Sequence, residues 1–440
     1  MHKQRSNDTI AALATHPNRG GVGVIRISGS QSTSVLHKLA PRLPATLPSH
    51  KLFFTSFEDH YGHIMDQGFA VVMLAPRSYT TENVVELHVH GGSANISRVL
   101  RVIFSYGVRP AEPGEFTLRA FLAGRIDLTQ AEAVMDMVTA PTEGALDQAF
   151  TQLRGGLAER VIALREAALN IQSRLEVQID FIDEDLGDVL SERATNTLQG
   201  LISEVNDLAE TWHTGAKLRQ GARVVLIGPP NAGKSSLFNA LLRRSRAIVT
   251  PIPGTTRDYL EELTDIHGLP VLLTDTAGLR KETEDAVELA GIERTGKLAS
   301  EADLILVLTP YGAQESAIPD DISADKVLRI RTKADLGEGD VSAVTGDGIE
   351  SLFTRIKDRL LPSKDVKSTH VLVTHERHYQ ALKACEQALA HAYEASATGE
   401  PADVVVVDVQ EAVHQLGLIV GATSTEDLLD RIFGEFCIGK

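Results

Sequence analysis

Short apolar runs separated by Gly- and Pro-rich turns characterise residues 1–118. Runs rich in Val and Ile lie at residues 22–27, 69–74 and 84–89, and such runs between turn residues are typical of β-strands. Residues 97–104 instead have the apolar spacing of a helix. This mixture predicts a compact α+β domain.

The apolar spacing then changes to that of helices. Apolar residues recur at three- and four-residue steps over 157–179 and again over 198–208, which predicts two amphipathic helices. Helical spacing returns in further segments after Pro362. We therefore predict one helical domain made of two separated segments, residues 119–218 and 364–440.

A phosphate-binding motif lies between these two segments, in residues 219–363. GPPNAGKS at 228–235 fits GxxxxGK[ST], follows the β-like run 223–227 and precedes the helix-like run 236–242. In that context glycines let the backbone wrap around phosphate groups, and N–H groups at the helix start point at them. The chain is therefore predicted to be a multidomain α/β protein, with a Ras-like P-loop G domain inserted into the discontinuous helical domain.

Two side chains of this motif and one later carboxylate predict phosphate and magnesium chemistry. Lys234 would reach the outer phosphates, and the Ser235 hydroxyl would bind Mg²⁺. DTAG at 275–278 follows an apolar strand, so that Asp275 can hold Mg²⁺ through water and Gly278 can approach a γ-phosphate.

Two further segments favour guanine over adenine nucleotides. TKAD at 332–335 follows a predicted strand and resembles the NKxD element that reads guanine. Asp335 would accept two hydrogen bonds from the base, a pattern that adenine does not offer, and Lys333 would pack along the ring. Thr332 replaces the usual Asn of this element, which puts the strength of base binding in question. SA at 342–343 fits the loop that closes over the guanine carbonyl.

Composition indicates a cytoplasmic protein without a membrane segment. The chain has 440 residues, no apolar run long enough to span a bilayer, and only two cysteines, Cys385 and Cys437. Its N-terminus has no apolar signal segment. The net charge of −16 argues against broad electrostatic binding of nucleic acid. An RNA partner would therefore be met through a local basic patch or a second protein.

Six further segments together resemble the family of tRNA modification GTPases known as MnmE or TrmE. They are RGGVGVIRISG at 19–29, HGG at 90–92, PGEF at 113–116, DLTQAEA at 127–133, GTTRD at 254–258 and CIGK at 437–440. The resemblance implies a potassium-activated GTPase that installs a carboxymethylaminomethyl-type group at C5 of the wobble uridine of certain tRNAs. It also implies a homodimer formed by the N-terminal domain, and a heterotetramer with an FAD-dependent MnmG-type partner.

The resemblance further implies two bound metal ions. A potassium ion beside the β- and γ-phosphates would be held by Asn231 together with three residues of one later segment, Thr250, Ile252 and Thr255. Mg²⁺ would be bound by Ser235 and Thr256. The complete predicted GTP-binding set is Asn231, Ala232, Gly233, Lys234, Ser235, Ser236, Thr250, Thr255, Thr256, Asp275, Thr276, Ala277, Gly278, Thr332, Lys333, Asp335, Ser342 and Ala343.

A folate-binding role for the N-terminal α+β domain rests on the same resemblance. Arg26, Glu86, Arg125 and Lys440 match family positions that contact a tetrahydrofolate derivative, in its 5-formyl or methylene form. Arg125 stands where the family often has Lys. Since Lys440 ends the chain, a shared pocket requires the C-terminal tail to dock on the N-terminal domain of its own or a partner subunit.

The resemblance also suggests a catalytic glutamate, which would act beside Lys234. AVELAGIER at 286–294 resembles the switch II segment of the family, and Glu288 matches its glutamate. That residue would orient the attacking water. The segment is one residue longer than is usual in the family, so that Glu284 stays the alternative.

Two other functional classes remain open from the sequence. One is a regulatory GTPase that binds RNA or ribosomes as a switch and performs no modification chemistry. A KH-type module would favour it, but the last 80 or so residues contain no GXXG loop. The other is a folate-binding module whose G domain only gates assembly.

Overall fold

A computed structural model describes residues 8–16, 20–180, 192–245, 260–275, 298–314, 322–362 and 371–440. The chain divides into two compact units. One unit comprises residues 1–135 and 420–440, and the other comprises residues 136–419. Among the described residues, no helix combines the length and apolar character that crossing a bilayer requires.

The elements run in the following order along the described chain. The strands are β1 (Ile10–Leu13), β2 (Val22–Ser28), β3 (Leu52–Glu58), β4 (Ile64–Met73), β5 (Val84–His90), β6 (Arg109–Pro110), β7 (Ala222–Ile227), β8 (Leu260–Ile266), β9 (Leu269–Asp275), β10 (Leu304–Pro310) and β11 (Val327–Thr332). The helices are α1 (Ser32–Leu39), α2 (Ser93–Ser105), α3 (Glu115–Leu122), α4 (Leu128–Thr139), α5 (Glu143–Leu153), α6 (Gly156–Asp180), α7 (Glu192–Glu210), α8 (Trp212–Gln220), α9 (Lys234–Arg244), α10 (Ile349–Leu360), α11 (Glu376–Ala397), α12 (Ala402–Val420) and α13 (Glu426–Gly434).

The first unit is built on a six-stranded sheet of order β3-β4-β5-β2-β1-β6. Its strands pair antiparallel except for β1 and β6, which are parallel. One face packs against α1 and α2 through buried residues such as Ile25, Leu87 and Val99. The three strands and the helix predicted from apolar spacing are confirmed. The strands β1, β3 and β6 were not predicted; β1 and β6 are only four and two residues long.

The C-terminal end of the chain completes this first unit. Helix α13 packs on α3 and α4 through a cluster that includes Leu128, Phe433 and Phe436. The four-residue tail beyond it lies against the loop before α3, where Pro113 and Ile438 form an isolated β-bridge. The first and last segments of the chain therefore share one hydrophobic core, because α13 buries its apolar face on helices of the N-terminal region.

The second unit holds a five-stranded sheet of order β11-β10-β7-β9-β8. Its pairs are parallel except for the β8–β9 hairpin. Helices α9 and α10 cover one face through residues such as Leu237, Phe353 and Ile356. The α/β character predicted for this region is confirmed for the described strands. Since the carboxyl ends of the parallel strands β7, β9 and β11 meet at one edge, the loops that follow them lie close together.

Long helices make up the rest of the second unit. Along α6, the residues predicted from three- and four-residue spacing are buried, among them Val161, Leu164 and Leu175. Ile179, the last of the series, is only half-buried. Helix α7 packs against α6 and α11. The helical segments predicted on both sides of the nucleotide-binding region are thus present. The predicted domain boundaries after residues 118, 218 and 363 stay predictions.

Candidate functional site

The loop between β7 and α9 adopts the curved backbone that a phosphate cradle needs. Asn231 and Gly233 have positive φ angles of 60° and 86°. A Cβ atom on Gly228 would lie 2.7 Å from the carbonyl oxygen of Leu308, so only glycine allows this approach to the neighbouring strand. The loop then enters the first turn of α9, whose N–H groups are available to an anion.

Lys234 is held over its own loop. Its Nζ donates hydrogen bonds to the carbonyl oxygens of Gly228 and Pro229, at 2.8 and 2.9 Å. These contacts fix the ammonium group inside the curve of the backbone. A phosphate oxygen there would meet a cation that is already in position. Ser236, also predicted to bind GTP, lies exposed in the first turn of α9.

Two oxygen ligands meet at the edge of the sheet. The Ser235 hydroxyl donates a hydrogen bond of 2.7 Å to Oδ2 of Asp275. Asp275 ends β9 in register with Leu226 of the P-loop strand and is only 1% exposed. A hydroxyl and a carboxylate at hydrogen-bond distance are oxygen donors of the kind that Mg²⁺ prefers. The structure thus brings together these two predicted magnesium-site residues.

Thr332 connects the segment predicted to read guanine to the phosphate loop. Its hydroxyl donates a hydrogen bond of 2.7 Å to the carbonyl oxygen of Ala232, and its side chain is buried. The next residue, Lys333, has a φ of 63°, which turns the chain sharply after β11. Although Thr replaces the usual Asn, the shorter side chain still ties this segment to the P-loop.

The side chain expected to read guanine is oriented by the following loop. Oδ1 of Asp335 accepts a hydrogen bond of 2.7 Å from Ser342. The Ser342 oxygen also accepts bonds from the N–H groups of Val344 and Thr345. Ser342 is fully buried, and Ala343 lies beside it in the same loop. The carboxylate is therefore positioned by the protein itself.

Several predicted site residues lie outside the described part of the chain. They are Thr250, Ile252, Thr255, Thr256, Thr276, Ala277, Gly278, Glu284 and Glu288. The potassium site, including the role of Asn231, the second magnesium ligand and the catalytic glutamate therefore stay predictions.

A second group of charged side chains gathers on the sheet of the first unit. Arg26 of β2 and Glu86 of β5 are directly opposite each other, and the Arg26 Nε donates a hydrogen bond of 2.8 Å to Oε1 of Glu86. Both side chains are mostly buried, each 19% exposed. Partial burial strengthens such a charge-assisted bond, which orients both groups.

Tyr79 lies between two of the predicted folate ligands. The guanidinium carbons of Arg26 and Arg125 are 5.3 and 5.4 Å from the centre of its ring. Arg125 also donates a hydrogen bond to the carbonyl oxygen of Ser78, and the Tyr79 hydroxyl is 2.9 Å from that of Thr117. Sequence reasoning missed Tyr79, because only the fold brings its loop over β2.

The C-terminal tail closes this group. The N–H of Phe116 donates a hydrogen bond of 3.2 Å to the carbonyl oxygen of Lys440, and Arg26 donates one of 3.5 Å to that of Gly439. Gly439 has a φ of 97°, and a Cβ there would lie 2.1 Å from the carbonyl oxygen of Leu13. The tail therefore docks on the first unit of its own chain, one of the two arrangements predicted.

We call this group the tail pocket, formed by Arg26, Tyr79, Glu86, Arg125 and residues 439–440. Helix α3, whose Phe116 contacts the tail, also carries Glu115, which pairs with Arg109 at 2.7 Å and with Arg119 at 2.9 Å. Burial works to raise the pKa of Glu115, but hydrogen bonds from Arg109, from the backbone N–H of Glu112 and from Arg119 outweigh it and hold that pKa below its usual value. The carboxylate therefore stays charged at neutral pH.

Two family models together match almost the whole chain. The model described as the N-terminus of the GTP-binding protein TrmE matches residues 9–125, and the model of the MnmE helical domain matches residues 128–437. The first match contains the sheet of the tail pocket. The second contains the P-loop, the strands around it and most of the helices.

Curated relatives match over their full length. The tRNA modification GTPase MnmE of Carboxydothermus hydrogenoformans is 40% identical over 459 residues, covering 98% of this chain and 99% of the relative. That of Natranaerobius thermophilus is 38% identical over 458 residues, covering 99% and 100%. That of Staphylococcus aureus is 37% identical over 464 residues, covering 98% and 99%. The chain therefore belongs to the MnmE family of tRNA modification GTPases.

Proposed function

We propose that this chain, a GTPase of tRNA modification, is activated by potassium and installs a carboxymethylaminomethyl-type group at C5 of the wobble uridine of certain tRNAs. In this proposal it acts with an FAD-dependent MnmG-type partner in a heterotetramer. The observation that carries the proposal is that one chain combines an organised P-loop site with a charged pocket closed by its own C-terminal tail. In this proposal, GTP hydrolysis and one-carbon chemistry have separate binding sites.

The described GTP-site residues suit phosphoryl transfer. Such a reaction is accelerated by positioning and by stabilising the negative charge on the phosphoryl oxygens. Lys234 and the N–H groups at the start of α9 would supply this stabilisation. Ser235, Asp275 and Thr256 would hold Mg²⁺, and Asn231 with the Thr250–Thr255 segment would hold K⁺. When bound, these ions would neutralise negative charge on the phosphate groups.

The tail pocket suits a tetrahydrofolate derivative in its donor set. A folate combines a flat heteroaromatic ring that carries N–H donors with a glutamate tail that carries carboxylates. Glu86 would accept from the ring donors, and Tyr79 offers a flat face near them. Arg26, Arg125 and Lys440 would meet the carboxylates. The 5-formyl and methylene forms differ only at the one-carbon group, so that this donor set accepts both.

An exposed apolar surface supports the proposed homodimer. Val22, Leu52, Phe54 and Phe69 lie on the face of the first sheet that is turned away from α1 and α2, and we call them the apolar face. Phe54 and Val22 are 67% and 58% exposed, and the rings of Phe54 and Phe69 are 5.5 Å apart. Apolar patches of this kind are typical of protein interfaces. A second copy of the chain would cover this face, and a monomer by light scattering would refute the homodimer.

Analysis of wobble uridines by mass spectrometry tests the proposal directly. tRNA from a strain lacking the gene should lose the modified nucleoside, and the wild-type gene should restore it. A variant with Lys234→Ala should fail to restore it. If the nucleosides are unchanged in the deletion strain, a regulatory GTPase without modification chemistry replaces the proposal.

The choice of monovalent cation tests the proposed activation. GTP hydrolysis should be fast in potassium and slow in sodium at equal ionic strength, because the smaller sodium ion fits the same ligands poorly. Asn231→Ala should remove the potassium response and leave nucleotide binding largely intact, since Lys234 and the loop backbone remain. Equal rates in the two salts would exclude potassium activation.

A further inference from the structure

His88 lies on the same face of β5 as Glu86, two residues further along the strand. Residues two apart in a strand point to the same side of the sheet. Its directly opposite neighbours are Val24 of β2 and Phe69 of β4. His88 therefore stands between the tail pocket, which contains Glu86, and the apolar face, which contains Phe69.

The Nε2 atom of His88 is buried and has no hydrogen-bond partner among the described residues. Oε2 of Glu86 lies 3.8 Å away, which is too far for a hydrogen bond. His90, on the same face, differs in both respects: its side chain is 75% exposed, and its Nδ1 lies 2.7 Å from Oδ1 of Asp66. Of these two histidines, His88 is the one with a buried ring nitrogen that makes no hydrogen bond to the described residues.

Glu86 has one oxygen in use and one turned towards this nitrogen. Oε1 accepts the hydrogen bond from Arg26, whereas Oε2 is the atom 3.8 Å from Nε2 of His88. Burying a polar atom without a partner is unfavourable. A ligand that presents a donor to Oε2 and an adjacent acceptor to Nε2 would satisfy both atoms at once. The edge of a pterin ring offers this arrangement, with an amide N–H beside a carbonyl oxygen.

We propose that His88 is a further ligand-binding residue of the tail pocket. Its Nε2 donates a hydrogen bond to the heteroaromatic ring of the folate-class ligand, at an atom beside the N–H group that donates to Glu86. This inference rests on the proposed folate role of the pocket. It adds a contact that determines ligand specificity, since a ring without an acceptor at that position would leave Nε2 of His88 without a hydrogen-bond partner.

Calorimetric titration of the full-length protein with 5-formyltetrahydrofolate tests the inference. His88→Ala should weaken binding about tenfold, which corresponds to the loss of one partly buried hydrogen bond. His88→Gln should bind within about threefold of wild type, because its amide N–H can donate from a similar reach. His88→Leu should be as weak as His88→Ala, since it restores volume without a donor. His90→Ala is the matched control and should bind as wild type does.

The outcomes separate this inference from the proposed function. Wild-type affinity in His88→Ala and His88→Leu, together with weak binding in Glu86→Gln, would overturn the role of His88 and leave the folate pocket standing. Failure of the wild-type protein to bind the probe would remove both. GTP turnover and thermal melting of each variant report whether the fold is intact. If His88→Ala has a lower melting temperature than wild type, the other two variants decide. Equal affinities of His88→Gln and His88→Leu for 5-formyltetrahydrofolate would then overturn the inference.

Discussion

The candidate GTP site and the tail pocket differ in how much of the chain each requires. In the GTP site, Lys234 contacts the backbone of residues 228 and 229, only a few positions away. In the tail pocket, Arg26 contacts Glu86 and Gly439, which are 60 and 413 residues distant in the chain. The phosphate cradle of the first site is therefore local, although Asp275 and Thr332 join it from 40 and 100 residues away. The tail pocket exists only when the first and last segments of the chain are packed together.

This difference follows from the groups that each site uses. A phosphate cradle is made of backbone N–H groups, so that a short run of glycines and a helix start are sufficient to form its centre. The tail pocket is made of side chains, and each needs its own strand, loop or helix to place it. Changes in one site should therefore leave the other intact, and the variants below test that independence.

Lys234→Ala should have the largest effect. Removing the cation from the phosphate loop should lower GTP turnover by about a thousandfold, as loss of a charge-stabilising group does in phosphoryl transfer. The protein should still bind 5-formyltetrahydrofolate with wild-type affinity. Lys326→Ala, whose Nζ bonds to the carbonyl oxygen of Ala302, is the matched control and should keep normal turnover. Weaker folate binding in Lys234→Ala would show that the sites are coupled.

Glu288→Ala should lower GTP turnover by about a hundredfold, because a positioned acid-base group is lost. GTP affinity should stay within a few fold, and this is measured with a non-hydrolysable analogue. Glu284→Ala is the paired variant and should hydrolyse GTP normally. The reverse result would transfer the role to Glu284, across the one-residue insertion in this segment.

Deleting residues 437–440 should weaken binding of 5-formyltetrahydrofolate by about fiftyfold, because the backbone and charged contacts of the tail are lost together. Modification of tRNA should fall to background, and GTP turnover should change by less than about twofold. Ile438→Ala, which alters an exposed side chain of the same tail, is the control. Wild-type levels of modified uridine in the deletion would contradict the role of the tail.

Asp136→Asn tests whether the GTP site depends on a distant ion pair. Asp136 binds Arg219 at 2.7 Å and His375 at 2.8 Å, and Arg219 lies just before the P-loop strand. Breaking this buried pair should lower the free energy of unfolding by about 3 kcal/mol. GTP turnover of the folded protein should stay within about twofold. A larger loss of turnover would show that this ion pair positions the P-loop strand.

The same carboxylate gives this effect a pH dependence. Burial works to raise the pKa of Asp136, but His375 and Arg219 outweigh it and hold that pKa below 3.8. A carboxyl with a lowered pKa stabilises the fold above its unfolded pKa, near 4, and loses that contribution as the pH falls through its folded pKa. The difference in melting temperature between wild type and Asp136→Asn should therefore be full at pH 7 and shrink below about pH 4. A constant difference would exclude a charged Asp136.

Thr332→Val should have the smallest effect. It removes the hydroxyl that bonds to Ala232 while keeping the volume of the side chain, so GDP affinity should fall about fivefold. Thr332→Ser keeps the hydroxyl and should bind GDP as wild type does. Unchanged affinity in Thr332→Val would show that the contact between the guanine-reading segment and the P-loop does not contribute to binding.

The sequence alone determined the parts that depend on local spacing. The α/β character around GPPNAGKS and the long helices were predicted and are present, because backbone periodicity and short motifs encode them. The guanine-reading role of residues 332–335 stays a prediction. The resemblance to the family also predicted that Arg26, Glu86, Arg125 and Lys440 belong to one group of charged residues. The order of the two sheets and the strands β1, β3 and β6 were not predicted.

Only the tertiary structure decided which distant groups meet. Tyr79 between Arg26 and Arg125, the carbonyl oxygen of Lys440 on Phe116, and the buried Nε2 of His88 depend on strand register and on the docking of α13. The hydrogen bond from Thr332 to Ala232 likewise forms only because the sheet brings the end of β11 to the P-loop. The physical reason is that side-chain contacts between remote segments follow from packing of the core, which no local pattern of residues specifies.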